Sequence, residues 1–448
     1  MNSTYRSQHP VKKAISSVLA GLFCLLAVFP LLGTPVRAAE GLPLMERCSS
    51  ACVYNFENDR MLYEYRAHDR AFPASTVKLM VALVAWDAFG ERLGTEITVT
   101  GEMLALSTGN SIDFYEGEIV TAEQLFNCML VNSANDAAVI LAVAAAGSVE
   151  AFVERMNARA EEMGLEGTFY TNCTGMHDPK MITTASDTAE VAKACCKIPG
   201  LVDITSQQKY DMAPTNLSPA REIFNRNAMI SKYYNAAYSY DGALGINAGA
   251  TAQGGYTLAA VARDNENDLT YLAVVLGAEE SDGAIYSYVN GHRLLDWAFG
   301  AWAYRPVLKD TQVICEMPVR LSSAMDYVTL VPESSMMVFL PTDADLSREV
   351  SYSWHTYEDS VNAPVEAGDE AGVITVSYGG ELIGTCKLVT TASIPRSEFL
   401  FFLDRIEDFT KSRFFKGTIG AAAILALAYV LITAFLREKR IRKMSGRR

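Results

Sequence analysis

Histidine is scarce in this chain of 448 residues, which contains five. No Cys-x-x-Cys pair stands with a second such pair or with a His-x-x-x-His pair, the usual spacings of structural zinc ligands. We therefore expect neither a metal nor another cofactor. Charged residues are also few, 20% against 50% hydrophobic residues. That balance is too apolar for a disordered chain and too charged for a protein with many membrane spans.

The negative charge is concentrated in the middle of the chain. Residues 1–38 carry four basic residues and no acidic one, and residues 437–448 carry seven basic residues and one acidic one. Subtracting these from the formal net charge of -14 leaves -24 on residues 39–436. Because nucleic acid needs a basic binding face, such an acidic body argues against it. The pattern indicates an exported body between two membrane signals.

The N-terminus has the layout of a secretory signal peptide. A basic region ends at Lys13, an apolar core spans residues 18–29, and Pro30 precedes a small-residue site ending at Ala38. We expect residues 1–38 to be this signal peptide, cut after Ala38. The alternative is an uncleaved N-terminal anchor.

A second apolar run, residues 417–436, contains no charge over 20 residues. At a rise of about 1.5 Å per residue it spans about 30 Å, the thickness of the hydrocarbon core of a membrane. The basic residues of the tail, 437–448, should stay in the cytoplasm. We predict a single transmembrane helix with the body on the outer side of the cell membrane. A buried helix of a soluble protein is the alternative.

The exported body divides by its patterning into two predicted domains. Residues 40–305 mix helices and strands, which predicts an α/β (α+β) fold with an antiparallel sheet covered by helices. Residues 311–393 contain short β-rich runs, which predicts a small all-β domain. Residues 394–416 form a juxtamembrane segment that we expect along the membrane surface.

Several elements can be placed from local signals. They are a hairpin around residues 57–59, an apolar buried helix over 79–89, a capping box at 121–124, two antiparallel strands over 255–263 and 269–277, and a hairpin turning at Gly379-Gly380.

Two cysteine pairs are candidates for disulfides, since eight cysteines remain once Cys24 leaves with the signal peptide. Cys48 and Cys52 are close in sequence, and Cys315 and Cys386 fall in the same predicted domain. Free thiols are the alternative.

Ser75 and Lys78 stand directly before the apolar helix. In a helix these two positions lie on one face, a few ångströms apart. A desolvated lysine amine can take the proton of a serine hydroxyl, and the helix N-terminus directs N–H groups at developing negative charge. Alone, the Ser-x-x-Lys pattern also recurs by chance in many proteins.

Ser133 and Asn135 follow 58 residues after Ser75, between two predicted helices. The serine can relay a proton to a leaving group, and the amide can orient a peptide carbonyl. The alternative is an ordinary helix cap, in which Ser133 or Asp136 opens the second helix.

Together, in this order and spacing, the two motifs resemble those of the penicillin-recognising serine D,D-peptidases. The resemblance is to the low-molecular-mass D-alanyl-D-alanine carboxypeptidases (peptidase S11 family, penicillin-binding proteins) in particular and covers roughly residues 45–395. The stretches that carry it are Phe72 to Lys78, Leu130 to Ala138, Phe169 to Asp178, Thr183 to Asp187 and Asn225 to Asn227.

The resemblance implies a serine β-lactamase/D,D-peptidase-like domain that trims peptidoglycan. Ser75 would attack the D-Ala-D-Ala bond of the stem pentapeptide and form an acyl-enzyme. Lys78 would be the general base, Ser133 the proton relay, and Asn135 the residue that holds the substrate amide. β-Lactams would acylate Ser75.

The third motif of that family, a strand-borne Lys-Thr-Gly, is altered. Here Asn247 and Ala248 replace the lysine and threonine that hold the substrate carboxylate, while Gly249 is kept. We expect Asn247 to donate a neutral hydrogen bond, and the N–H of Ala250 to complete an oxyanion hole with that of Ser75.

An arginine that the family often supplies is also missing, because the segment that begins at Glu279 is acidic. Arg293 is the next candidate for carboxylate binding. Two functions therefore stay open, an active carboxypeptidase and a catalytically weakened relative that binds muropeptides or acts as a cell-wall scaffold or regulator.

Overall fold

The computed structural model describes residues 41–445, with side chains to residue 439. The predicted signal peptide lies outside the described residues, as does Cys24. Nineteen strands are present in the described range. They are β1 (Ser50–Asn55), β2 (Arg60–Tyr65), β3 (Glu96–Thr98), β4 (Ile119–Thr121), β5 (Lys209–Met212), β6 (Arg221–Phe224), β7 (Ala243–Thr251), β8 (Gly255–Asp264), β9 (Leu269–Ala278), β10 (Glu280–Ser281), β11 (Ala284–Ile285), β12 (Trp302–Leu308), β13 (Cys315–Arg320), β14 (Tyr327–Pro332), β15 (Met336–Pro341), β16 (Val350–Thr356), β17 (Val361–Asn362), β18 (Glu370–Tyr378) and β19 (Glu381–Thr390).

Twelve α-helices accompany these strands in the described range, with short 3-10 turns at Ala74–Thr76 and Ala236–Tyr238. The helices are α1 (Val77–Phe89), α2 (Gly101–Ala105), α3 (Ala122–Val131), α4 (Asn135–Ala146), α5 (Val149–Glu162), α6 (Ala185–Cys196), α7 (Pro199–Thr205), α8 (Lys232–Asn235), α9 (Tyr286–Ala301), α10 (Leu346–Glu349), α11 (Glu398–Lys411) and α12 (Arg413–Ser445).

The main sheet has five antiparallel strands in the order β2-β1-β9-β8-β7, so β7 lies at an edge. Side chains along a strand alternate between its faces. On β9, Leu272 and Val274 therefore join the core beneath α1, while Ala273 and Val275 join a second core beneath α9. Both faces of the sheet are covered by helices, and the predicted fold class is confirmed.

Local signals placed several elements correctly. The β1–β2 hairpin and the antiparallel β8–β9 pair form as predicted. The Thr121 side chain and the Gln124 side chain make the reciprocal capping box of α3. Other elements surround helix α1, and 10 of its 13 residues are buried. This burial accounts for the apolar residues on all of its faces.

The C-terminal part of the body is a separate all-β unit. Its main sheet has six strands in the order β16-β18-β19-β14-β13-β17, and the β18–β19 hairpin turns at Gly379 and Gly380 as predicted. Strand β12 pairs with β15, so regular structure continues past residue 305, where the first predicted domain ends. The predicted domain limits stay predictions.

Two helices end the described chain. Helix α11 exposes an apolar face, and Arg320 of β13 forms an ion pair with Asp404 of this helix at 3.2 Å. Helix α12 runs through the whole predicted span of residues 417–436. Within the described residues, Arg413–Lys439 is the single helix that by itself is long and apolar enough to cross a membrane.

The candidate disulfides do not form. The eight cysteines in the described range are free thiols, among them Cys48, Cys52, Cys315 and Cys386. Cys52 lies on β1 with its thiol directed at the carbonyl of Ala185, at 3.4 Å. Cys386 lies on β19, where its thiol contacts Ser334. The thiols of Cys52 and Cys386 therefore contact groups other than their proposed partners.

Candidate active site

A cavity of about 280 Å³ lies between the edge strand β7, the start of α1, the α3–α4 connection and the loop at residues 174–176. It brings together side chains that are far apart in the sequence. Ser75, Ser133, Asn135, Ala248, Gly249 and Ala250 all line it. Besides Lys78, the sequence interpretation assigned six residues to the site. Five of them line the cavity, together with Ala248 of the altered motif, and the sixth, Asn247, is buried.

Ser75 lies in the 3-10 turn that leads into α1, half-buried at the floor of the cavity. The Nζ atom of Lys78 lies 3.4 Å from the Oγ atom of Ser75 and donates a hydrogen bond of 2.7 Å to the carbonyl of Thr174. Lys78 is wholly buried. The hydroxyl and the amine therefore have the proximity that proton transfer between them requires.

Burial lowers the pKa of Lys78 to about 7, because the desolvated ammonium is disfavoured. The positive charge of Arg226 lowers this pKa further, while Cys173 and Asp136 act in the opposite direction. An amine with this pKa is present in large part as the neutral base near neutral pH, so it can accept a proton from Ser75.

Two backbone segments enclose Ser75. A Cβ atom on Gly249 would lie 2.4 Å from the Cβ of Ser75, and one on Gly175 would lie 2.1 Å from the carbonyl oxygen of Ala74. Ala74 itself has a positive φ of 46°. Backbone conformations of this kind are costly for non-glycine residues and persist where the surrounding structure enforces them. Ser75 is thus held by steric contact on both sides.

Ser133 and Asn135 lie in the connection between α3 and α4. Ser133 has a positive φ of 61°, and its buried Oγ atom has no hydrogen-bond partner in the described structure. Asn135 donates from its side-chain amide to the carbonyl of Thr108 at 2.6 Å. The helix cap that was the alternative for Ser133 is absent, because Ala134 is the N-cap and no side chain caps α4. The serine hydroxyl is therefore free to exchange a proton with a bound molecule.

The altered third motif lies on β7. Asn247 is buried, and its side-chain oxygen has no hydrogen-bond partner in the described structure. Ala248 lines the cavity and also packs against the core beneath α9. Ala250 is exposed, pairs with Tyr256 of β8 and follows the glycine that touches Ser75. Its N–H remains our candidate for the second oxyanion donor.

Arg226 is the residue that the sequence interpretation left without a role. It is the one charged side chain on the cavity wall within the described range. Its guanidinium donates to the side-chain oxygen of Asn110 and lies 5.7 Å from the ring centre of Tyr234. The signal was present, because Arg226 is the central residue of the Asn225–Asn227 stretch that carries part of the resemblance.

Arg293 does not belong to the cavity. Its guanidinium forms an ion pair with Glu46 at 3.1 Å and donates to the carbonyl of Leu44. Helix α9 turns this side chain toward the N-terminal segment, so the expectation that Arg293 could bind a carboxylate in the site is wrong.

The fold and the serine–lysine pair define the class of the serine D,D-peptidases. A family model described as D-alanyl-D-alanine carboxypeptidase (peptidase S11) matches residues 39–280, more than half of the chain. A second model, described as the C-terminal domain of penicillin-binding protein 5, matches residues 304–396. The chain belongs to the peptidase S11 family of D-alanyl-D-alanine carboxypeptidases, which act on peptidoglycan.

Curated relatives match over nearly their whole length. D-alanyl-D-alanine carboxypeptidase DacF of Bacillus subtilis is 25% identical over 410 residues, covering 90% of this chain and 100% of the relative. DacA of Escherichia coli K12 is 26% identical over 384 residues, covering 84% and 89%. The crystal structure of penicillin-binding protein 5 from Haemophilus influenzae superposes with a TM-score of 0.56 at 22% identity, covering 79% of this chain and 99% of that one. That structural likeness supports the fold.

The contact between Gly249 and Ser75 yields a prediction. Gly249→Ala would place a Cβ 2.4 Å from that of Ser75, so one of the two must move. We expect acylation of Ser75 by a fluorescent penicillin to slow by about 100-fold, the usual cost of a displacement near 1 Å. Gly300→Ala is the control, because nothing lies within 4 Å of its added Cβ. An unchanged rate in a folded Gly249→Ala protein would contradict the assigned role of β7.

Proposed function

We propose that the protein is an active serine D-alanyl-D-alanine carboxypeptidase that removes the terminal D-Ala of peptidoglycan stem pentapeptides through an acyl-enzyme. The observation that carries the proposal is the buried amine of Lys78, 3.4 Å from the hydroxyl of Ser75. A protein that only binds its ligand gains nothing from taking a lysine out of water, which is costly.

The proposed reaction begins when Lys78 accepts the hydroxyl proton of Ser75 and the Ser75 oxygen attacks the carbonyl carbon of the penultimate D-Ala. The N–H groups of Ser75 and Ala250 stabilise the negative charge that develops on the carbonyl oxygen. Ser133 passes a proton to the nitrogen of the leaving D-Ala, and Asn135 holds the peptide amide. Water then hydrolyses the ester and regenerates Ser75. A β-lactam would follow the first half of this sequence.

Arg226 is our proposed partner for the terminal carboxylate. Asn247 and Ala248 carry no charge, so within the described part of the chain the guanidinium is the cation that lines the cavity. A charge-assisted hydrogen bond contributes about 1.5–3 kcal/mol, against about 0.5–1.5 kcal/mol for a neutral one. One such bond from Arg226 would recover much of what the altered third motif lacks.

The replacements at Asn247 and Ala248 favour the alternative function. In that case the protein would bind muropeptide, or serve as a cell-wall scaffold or regulator, without turnover. A D-Ala release assay separates the two functions. A synthetic pentapeptide ending in D-Ala-D-Ala is incubated with the protein, and free D-Ala is measured.

We expect D-Ala release that disappears in Ser75→Ala and persists in Ser351→Ala, an exposed serine of the small β domain. The rate should rise with pH through a midpoint near 7, since Lys78 acts only when deprotonated and its pKa is about 7. Mass spectrometry after penicillin treatment should find the adduct on the Ser75 peptide. Penicillin binding without D-Ala release would favour the alternative, and an adduct on the Ser133 peptide would overturn the assignment.

Arg226→Gln provides a second prediction. Loss of the charged partner should raise KM for the pentapeptide about tenfold. It should also move the midpoint of the pH profile upward, because the positive charge of Arg226 lowers the pKa of Lys78. Arg293→Gln is the matched control and should leave both quantities unchanged. Equal effects of the two replacements would show that Arg226 has no special role.

We also propose that the body is exported by an N-terminal signal peptide and held at the outer surface of the cell membrane by α12, with the basic tail in the cytoplasm. Many apolar side chains of α12 are exposed. Helix α11 also has exposed apolar side chains, among them Phe399, Phe402 and Ile406. Their spacing of three to four residues gives one apolar face that would lie along the membrane surface.

The orientation can be tested in intact protoplasts. A tag placed after Arg448 should survive external protease, whereas antibodies against the body should detect its loss. Permeabilised protoplasts, the control, should lose both signals. Protection of the body with loss of the tag would mean that the proposed orientation is reversed.

A further inference from the structure

A second groove adjoins the reaction cavity. Its volume is about 890 Å³, and it shares Ala250, Thr251 and Tyr256 with the smaller cavity. The turn between β7 and β8 and the segments at residues 70–72 and 277–281 form most of its lining. A molecule bound at Ser75 can therefore extend into this groove without leaving the protein surface.

The groove carries two charges of opposite sign that are not neutralised by ion pairs. Glu280 accepts a hydrogen bond from the hydroxyl of Tyr256, and no cation pairs with it among the described residues. Arg70, from another segment of the lining, likewise has no acidic partner among them. Glu279, by contrast, lies 3.7 Å from Arg47. One carboxylate and one guanidinium are thus available to a bound molecule.

The direction of a bound peptide follows from β7. Gly249 touches Ser75, and Arg226 lies in the reaction cavity but not in the groove. A peptide whose terminal carboxylate meets Arg226 must therefore send its preceding residues toward Thr251. Because Ala250 and Thr251 line both the cavity and the groove, the residue that precedes the acyl-donor D-Ala would lie at the groove. Strand β7 is at the edge of its sheet, which allows such a peptide to run beside it.

We propose that this groove binds a zwitterionic amino-acid terminus carried on the side chain of the residue that precedes the acyl-donor D-Ala. Glu280 binds its ammonium group and Arg70 binds its carboxylate. A diamino dicarboxylic acid such as meso-diaminopimelic acid carries both groups, lysine carries the ammonium group alone, and norleucine carries neither. This inference rests on the proposed function for the orientation of the peptide, and it adds the substrate class that the site selects.

Three synthetic pentapeptides test the proposal, identical except for meso-diaminopimelic acid, L-lysine or L-norleucine at the third position. Their Kd values are measured by calorimetry on Ser75→Ala, which binds without turnover, and their kcat/KM values on the wild-type protein. We expect affinity to fall in that order, by about threefold to fivefold at each step, as is usual for ion pairs open to solvent.

Two variants assign the charges. In the Ser75→Ala background, Glu280→Gln should remove the preference for lysine over norleucine, and Arg70→Gln should remove the preference for diaminopimelic acid over lysine. Glu266→Gln is the control, an exposed acid in the β8–β9 turn outside the groove, and should keep all three ratios. Circular dichroism confirms that each variant is folded.

Equal affinity for all three peptides, or for the diaminopimelyl and lysyl peptides, would overturn the proposal, and so would preferences that survive both variants. The two levels of inference remain distinguishable. If all three peptides release D-Ala at one rate and have equal Kd values, the proposed carboxypeptidase activity is supported and the proposed role of the groove is contradicted. If no D-Ala is released but the Kd values follow the expected order, the role of the groove is supported and the carboxypeptidase activity is contradicted.

Discussion

The chemistry that we propose for this protein depends on the burial of one amine. Lys78 is the second residue of a helix that is apolar on every side, so the packing that covers the helix also takes the amine out of water. No carboxylate pairs with it in the described structure, and its hydrogen-bond partners are the carbonyl of Thr174 and the hydroxyl of Ser75. Neutral partners do not compensate for the desolvation of an ammonium ion, which is why the neutral base is favoured. The hydrophobic core and the neutral amine of our proposed general base are therefore consequences of the same packing.

The altered third motif changes the electrostatics around that amine. A lysine at position 247 would add positive potential beside Lys78 and favour its neutral form, whereas Asn247 adds no charge. Arg226 supplies a positive charge from another side of the cavity, and it acts on Lys78 in the same sense. In the proposed mechanism, acid–base function and carboxylate binding would thus both depend on one guanidinium, which would link the two properties more tightly than two separate cations would.

Local sequence signals were sufficient for the parts of the site that depend on helix geometry. The spacing of Ser75 and Lys78 places them together in any helix start, and the β8 and β9 strands are evident from their apolar runs. Contacts between distant segments could not be predicted in this way, since the carbonyl of Thr174 lies 96 residues from Lys78. Arg293 was misjudged for a related reason. Its residue type suited a carboxylate, but the face of α9 on which it lies is set by packing against the sheet.

The geometry of β7 explains how the third motif can lose its charges and keep its glycine. A Cβ atom added to Gly249 would lie too close to the backbone and side chain of Ser75. A substitution elsewhere in the protein cannot relieve a steric overlap of this kind. The charge at position 247 acts through space, so a cation elsewhere on the cavity wall can replace part of its effect. Ala248 lines the cavity and is partly buried against the core beneath α9. In the proposed mechanism, substitution at positions 247 and 248 would therefore alter the strength of substrate recognition, while substitution of Gly249 would displace the nucleophile itself.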